Sequence, residues 1–289
     1  MTATGELELA QLYDQLARYQ WWMRRWSRAQ PGERLAMRKQ LAPGRDELAG
    51  VEQLNTWLWN LATPDQAPRV LDLGAGFGDT LLCWAADHDG EYIGLGLSPY
   101  QVRRATEQAA SLGLTDRCRF VRQEFDAPLP GQFDLIVAVE TLFHARDLGN
   151  TLAHVAAALV PGGDLVLVED MARDASVAAT AAGQELLSRW STPRLHTRSD
   201  YHGGLRDAGL ELEHEFDLTG QLVFAEEGGH DGRRSRRRRR LRRLRCCLPG
   251  KRHVVDAFLG GLAMEELQQR GDLEYRAMRA RRPIRTPNR

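Results

Sequence analysis

The sequence predicts an α/β fold, a doubly wound and mostly parallel seven-stranded sheet flanked by helices. Two observations carry that prediction. The apolar run Val70-Leu71-Asp72-Leu73 ends in Gly74-Ala75-Gly76-Phe77-Gly78, so a short buried strand passes through a tight turn into a helix starting near Gly78. From there short apolar runs alternate with helical segments, the order that builds a parallel sheet covered on both faces.

Taken in order, residues Glu6 to Ala29 contain no proline or glycine, and Leu9, Leu12, Leu16, Tyr19, Trp22 and Met23 recur near helical spacing. This helix carries an aromatic end, Trp21, Trp22 and Trp26. Pro31-Gly32 breaks it, Arg34 to Leu41 follows, and Pro43-Gly44 breaks the chain again before a helix over Asp46 to Ala62 with Leu48, Val51, Leu54, Trp57 and Leu58 on one face. Either these helices pack on the sheet or a partner, or they bring Tyr13 and Trp21-Trp22 over the functional site. Pro64 to Pro68 is a linker. Beyond it the expected elements are a helix from Gly78 to Ala86, a strand from Glu91 to Leu95, a helix from Pro99 to Leu112, and strands from Cys118 to Arg122 and Phe133 to Val137. A helix from Asp147 to Leu159, a Pro161-Gly162-Gly163 turn and a strand from Asp164 to Val168 complete the first half of the sheet. Ser199-Asp200-Tyr201 opens a helix ending at Ala208-Gly209, Leu210 to Phe216 is the sixth strand, and Leu273 to Ala280 closes the sheet. The implied organisation is an N-terminal helical segment (1–66), a core (67–216), a helical Arg-rich cap insertion (217–271), and the last strand with a tail (272–289).

Composition bounds the function. At 289 residues, 43% hydrophobic and 27% charged, the chain can bury a full core and is neither collagen-like, fibrous nor disordered as a whole. Cys83, Cys118, Cys246 and Cys247 match neither a zinc CxxC pair nor a disulfide framework. With acids and polar residues at the N-terminus and no apolar run of bilayer length, the expected location is the cytoplasm. The formal net charge of zero hides an asymmetry. Ten of the 39 basic residues fall between Arg233 and Arg245, against 39 acidic residues overall, so the remainder of the chain is acidic by ten charges.

The glycines after Asp72 run GxGxG, whereas a dinucleotide fingerprint wants GxGxxG. The string Val70 to Gly78 instead resembles the first motif of the class I S-adenosylmethionine-dependent methyltransferases: hydrophobic, hydrophobic, acid, hydrophobic, GxGxG. Phe133-Asp134-Leu135-Ile136-Val137-Ala138 resembles a second motif of that family, at the distance the fold requires. The resemblance implies S-adenosyl-L-methionine as cofactor, with Asp72, Gly74, Gly76 and Gly78 contacting its methionine end. It implies also that the last strand is antiparallel, and that the insertion before it caps a substrate cavity.

In open sheets of this kind ligands lie beyond the carboxyl ends of the strands, so residues just after each strand are the site candidates. After the second strand, Gly94-Leu95-Gly96-Leu97-Ser98-Pro99-Tyr100-Gln101 lacks the ribose-binding acid of the common pattern. This segment is similar to a subgroup containing the tocopherol, sarcosine and coclaurine methyltransferases, and Ser98 and Gln101 are the substitutes for polar contact. Ser98 with Pro99 is equally a plain helix cap. After the third strand the resemblance places Glu124 near the adenine and Phe125 against its ring, with Asp126 as the competing acid. After the fourth strand, Glu140 and His144 are the catalytic candidates, His144 as a base with a pKa near neutrality. The bland alternative is loop support by Glu140 and a structural hydrogen bond for His144. Asp170, after the fifth strand, either orients a substrate or caps the Ala-rich helix that follows.

In the Arg-rich segment, Leu241, Leu244 and Leu248 recur at helical spacing and predict an amphipathic basic helix. It reads as a solvated or disordered charged run, as a contact for an anionic membrane surface or phosphorylated lipid-like substrate, or as a nucleic-acid contact. The last is disfavoured because no base-stacking module accompanies it. The expected reaction is methyl transfer to an O, N or C nucleophile of a small or lipid-like molecule, with no metal implied. The alternatives are a non-catalytic cofactor-binding or scaffold protein of the same fold, or a nucleic-acid methyltransferase. No (N/D/S)-P-P-(Y/F/W) segment and no Pro-Cys pair supports the last.

Overall fold

The structure is a computed structural model that describes residues 3–26, 39, 41, 50–224, 231–247 and 252–284. Seven strands form one sheet: β1 (Arg69–Asp72), β2 (Glu91–Gly96), β3 (Cys118–Arg122), β4 (Phe133–Val139), β5 (Leu159–Ala172), β6 (Glu211–Asp217) and β7 (Leu273–Arg281). Their order is β3-β2-β1-β4-β5-β7-β6. The pairs among β1 to β5 are parallel, and β7 runs antiparallel to both β5 and β6. The order reverses between β1 and β4, where a crevice opens beyond the strand ends.

The helices are α1 (Ala3–Trp26), α2 (Gly50–Ala62), α3 (Asp79–Asp87), α4 (Pro99–Ser111), α5 (Leu148–Ala158), α6 (Ala181–Arg189), α7 (Arg198–Asp207), α8 (Asp231–Cys247) and α9 (Arg252–Gln269). The central strands alternate between two cores. Leu135, Val137, Val166 and Val168 face a cluster with Leu54 and Leu58 of α2 and Trp84 of α3. Ile136, Ala138, Leu165 and Leu167 face Leu152 and Val155 of α5 and Tyr201 and Leu205 of α7. Burial on both faces explains the near-continuous apolar runs, and each such side chain contributes about 1.5–3 kcal/mol.

Local chemistry sets the helix starts. Ser98 caps α4 by accepting the Gln101 N–H, and Pro99 follows at the first helical position. Thr197 and Asp200 form a capping box at α7.

Two elements differ from expectation. Strand β5 does not begin after the Pro-Gly-Gly turn but runs through it from Leu159, because Gly162 takes φ +87 and donates its N–H to the Arg282 carbonyl at 2.8 Å. The sheet thus absorbs the glycines as an irregularity. In the insertion, the Arg-rich segment is helical from Asp231 rather than disordered, while Arg236, Arg237, Arg239, Arg240, Arg242 and Arg243 are exposed as a solvated run requires, and the leucines do not hold the helix in place. Leu241 is half-buried and Leu244 is 45% exposed. Instead Arg238 pairs with Glu185 and Glu266, Arg242 with Glu185, and Arg245 with Asp256, at 2.6–3.0 Å. The expected breaks at Pro31-Gly32 and Pro43-Gly44, the start of the second helix at Asp46, and Leu248 lie outside the described residues.

Candidate active site

The turn after β1 is drawn across the sheet by backbone bonds: Leu73 N–H to Val137 O at 3.0 Å, Ala75 N–H to Leu95 O at 2.8 Å, and Gly78 N–H to Ala75 O at 2.6 Å. Its three glycines have different reasons. A Cβ on Gly74 would lie 2.0 Å from Thr141 Oγ1, so glycine lets the β4 loop approach. Gly78 has φ +82, and a Cβ there would lie 2.6 Å from Phe120 Cζ. Gly76 has φ +54, but nothing lies closer than 3.9 Å to its Cβ position, and it borders open space. Asp72 is buried and its Oδ1 accepts the Gly74 N–H at 3.1 Å.

That open space is a cavity of about 500 Å³. Asp72, Gly74, Gly76, Gln101, Phe125, Glu140 and His144 all line it, so the structure brings seven of the ten predicted site residues together. Gly78, Ser98 and Glu124 are not in its wall. Gly78 packs against Phe120. The Ser98 hydroxyl caps α4 and donates to Asp14 Oδ1 at 3.0 Å, and that carboxylate also accepts the Tyr100 N–H at 3.1 Å, tying α1 to the start of α4. Glu124 pairs with Arg146 at 3.0 Å, and Asp126 accepts the Thr151 hydroxyl at 2.7 Å. Helix α1 covers the cavity with Leu12, Tyr13 and Leu16, whereas Trp21 lies against the Arg104 guanidinium.

His144 sits on a 3₁₀ turn, Leu142–His144, that is pinned from below. The Glu169 carboxylate accepts the N–H groups of Thr141, Leu142 and Phe143 at 2.8, 2.7 and 3.2 Å. Burial pushes the Glu169 pKa up to about 8, against the pull of those donors. His144 Nε2 lies 2.7 Å from the Tyr13 hydroxyl and Nδ1 lies 3.2 Å from Thr192 Oγ1. Thr192 Oγ1 can donate to the Trp190 carbonyl at 3.5 Å. The network therefore assigns Nδ1–H as donor to Thr192 and leaves Nε2 to accept from Tyr13. The Trp190 ring lies 6.2 Å from the imidazole at 20°. Gly260 of α9 admits that indole, since a Cβ there would lie 2.0 Å from Trp190 Cδ1.

The expected near-neutral pKa of His144 is corrected. Burial pushes it down to about 4, because nothing acidic touches the ring to favour the imidazolium. The imidazole is neutral throughout the physiological range.

Glu140 has a left-handed backbone, φ +53, which costs a non-glycine residue on the order of 1 kcal/mol. The strain aims its carboxylate at Tyr275 Oη (2.9 Å) and the Lys39 N–H (3.1 Å), with Lys39 Nζ at 3.4 Å. Lys39 also pairs with Asp170, which accepts from Gln268 Nε2 at 2.6 Å. Burial works against the Lys39 ammonium, but the Asp170 and Glu140 carboxylates outweigh it and hold its pKa above the ordinary range. Asp170 therefore neither caps a helix nor lines the cavity; it anchors Lys39.

Sequence reasoning missed Lys39, Thr141, Trp190, Thr192 and Tyr275, and placed Glu169 on the ligand side after the fifth strand without giving it a role. Only Glu169 carried a signal, an acid at the end of the apolar run Leu165-Val166-Leu167-Val168, which must find partners when buried. The others come from segments without a motif. Among the described residues no group of three His, Cys, Asp or Glu side chains is placed to hold a metal ion.

Comparison with known proteins agrees with this geometry. A family model described as "Methyltransferase domain" matches residues 71–165. The chain is 32% identical over 124 residues to the chloroplastic tocopherol O-methyltransferase of Arabidopsis thaliana, covering 42% of this chain and 34% of that one. It is 31% identical over 182 residues to the 27-O-demethylrifamycin SV methyltransferase of Amycolatopsis mediterranei (strain S699), covering 60% and 66%. The chain thus spans between about a third and two thirds of the length of such relatives. Among solved structures, the [4+2]-cyclase SpnF superposes with a TM-score of 0.67 at 21% identity, covering 88% of this chain and 90% of that one, a likeness of fold.

Proposed function

Because the chain belongs to the class I S-adenosylmethionine-dependent methyltransferase family, we propose that it transfers a methyl group from S-adenosyl-L-methionine to an O, N or C nucleophile of a small or lipid-like molecule. One observation carries this reading. Gly76, the glycine open to the cavity, and the paired Tyr13 and His144 line the same space at the reversal between β1 and β4.

The residues fit the cofactor. The bare Gly76 backbone forms a cradle that a side chain would fill, the Asp72 carboxylate stands beside it for an ammonium, and Phe125 offers a ring face to the adenine. Gln101, on the same wall, supplies the polar contact in place of the missing ribose acid. Gly78 and Ser98 act on this site through the shape of the turn and the α4 cap. When bound, S-adenosylmethionine supplies a methyl group already activated by its sulfonium charge. The protein's share is then position and, for a protonated acceptor, a base. His144 Nε2 is unprotonated at neutral pH, and the Tyr13 hydroxyl it now holds marks the place of an acceptor O–H or N–H. Glu140, through Lys39 and Tyr275, fixes the wall opposite.

The outward arginines of α8 favour a second, compatible contact. Arg239, Arg240 and Arg243 are exposed and lie in none of the ion pairs that dock the helix. They suit an anionic membrane surface, which would deliver a lipid-like acceptor to the cavity. Sedimentation with phosphatidylglycerol vesicles, but not phosphatidylcholine vesicles, tests this. Among the described residues no helix is long and apolar enough to cross a membrane, and the four free cysteines support a reducing, cytoplasmic location.

The deciding experiment is calorimetric titration of S-adenosylmethionine into the protein and a Gly76→Asn variant, followed by mass spectrometry of a cell extract incubated with each. A species heavier by one methylene unit only with the unaltered protein is expected. Absence of cofactor binding would overturn the reading in favour of the scaffold role.

A further inference from the structure

The cavity wall carries charged side chains of both signs. At the glycine turn its wall holds Asp72, Asp79 and Glu140, and its lysine, Lys39, is neutralised by Glu140 and Asp170. The wall is otherwise rich in apolar side chains, with Leu12, Leu16, Val223, Phe258, Leu262 and Met264 supplied by α1, α9 and the segment before α8. Helix α8 adds Arg237 to the lining. Among the described residues no carboxylate forms an ion pair with Arg237, which is exposed, although Arg238, Arg242 and Arg245 on the same helix each have such a partner. Glu265 also lines the cavity, but it is not within ion-pair distance of Arg237. Arg236 and Arg240 flank Arg237 on the helix and raise the positive potential around it.

We infer that the methyl acceptor is an amphiphile whose apolar body ends in a carboxylate or phosphate, and that Arg237 pairs with that group. This rests on the methyltransferase reading. An uncompensated arginine at the edge of an apolar space favours an anion, because low local polarity strengthens the pair and the planar guanidinium matches both oxyanions with two parallel hydrogen bonds. A cationic acceptor would meet the repulsion of α8, and a neutral one would bury part of the guanidinium without return.

The test is calorimetric titration of octyl phosphate, octanoate and octanol, below micelle-forming concentrations, into the protein saturated with S-adenosylhomocysteine. Both anions should bind about tenfold or more tightly than octanol. Arg237→Gln should remove that difference, Arg237→Lys should keep part of it, and Arg243→Gln should leave it intact. Equal loss in Arg237→Gln and Arg243→Gln would overturn the assignment in favour of diffuse attraction by the helix. Inorganic phosphate competing as well as octyl phosphate would overturn the amphiphile. S-adenosylhomocysteine is titrated alone into both the unaltered protein and Arg237→Gln. Binding to neither overturns the methyltransferase reading, whereas binding without anion preference overturns only the role of Arg237.

Discussion

The Tyr13 hydroxyl lies 2.7 Å from His144 Nε2, so a helix at the start of the chain closes directly on the imidazole at the end of β4. The bond spans 131 positions and joins the covering helix to the 3₁₀ turn that carries His144. If Nε2 accepts the proton of the substrate, His144→Ala should lower kcat by about 10²-fold or more while S-adenosylhomocysteine affinity changes little. Tyr13→Phe keeps the ring and loses only the hydroxyl, so it should lower kcat less and raise KM. Steady-state kinetics with calorimetry checks both. An unchanged kcat in His144→Ala would reduce the contact to packing.

The burial of that imidazole fixes a pH dependence. With a folded-state pKa of about 4 and an unfolded value near 6.5, the unfolded chain takes up a proton that the folded protein refuses between those limits. The stability from this group is complete above about pH 6.5 and is lost as pH falls towards 4, by up to about 3 kcal/mol. Urea midpoints should therefore fall more steeply from pH 6.5 to 4.5 in the unaltered protein than in His144→Gln. Activity should show its acid limb from this group near pH 4, and a limb near 6.5 that vanishes in His144→Gln would show a hydrated ring.

Much of this geometry was legible in the chain. The glycine turn and the apolar strand ends follow from local rules and placed Gly76, while the family resemblance added Asp72 and Phe125; all three line the cavity. The acid after β3 could not be assigned, because Arg146, on the loop after β4, holds both Glu124 and Asp126. Nor does helical spacing foretell that α8 docks by Arg238, Arg242 and Arg245, since their partners Glu185, Asp256 and Glu266 lie on α6 and α9. The leucine periodicity told of a helix but not of what holds it, since Leu241 is half-buried, Leu244 is exposed and the ion pairs make the contact. Lys39 met Glu140 and Asp170 by long-range packing alone.

Two glycines of one turn should fail differently. Gly74→Ala drives a methyl into Thr141, overpacking that costs about 1–3 kcal/mol, so the melting temperature should drop by several degrees. Thr141→Gly in the same chain should restore it. Gly76→Asn meets no neighbour and keeps a residue that tolerates positive φ, so it should melt nearly as the unaltered protein does and lose cofactor affinity tenfold or more. Cofactor binding unchanged in Gly76→Asn would remove the cradle.

Glu169 is buried and does not line the cavity, yet it accepts three consecutive backbone N–H groups beneath the turn that carries His144. It is a positioning residue. Glu169→Gln keeps an acceptor of the same shape for Thr141 and Leu142 and should retain most of the activity. Glu169→Ala leaves three buried donors unpaired, each costing about 1–3 kcal/mol if water does not enter. The alanine variant should therefore lose kcat strongly through misplacement of His144, and its His144 ring resonances should shift towards a hydrated imidazole. Equal loss in the glutamine and alanine variants would mean that the charge of Glu169, rather than its hold on the turn, is what the site requires.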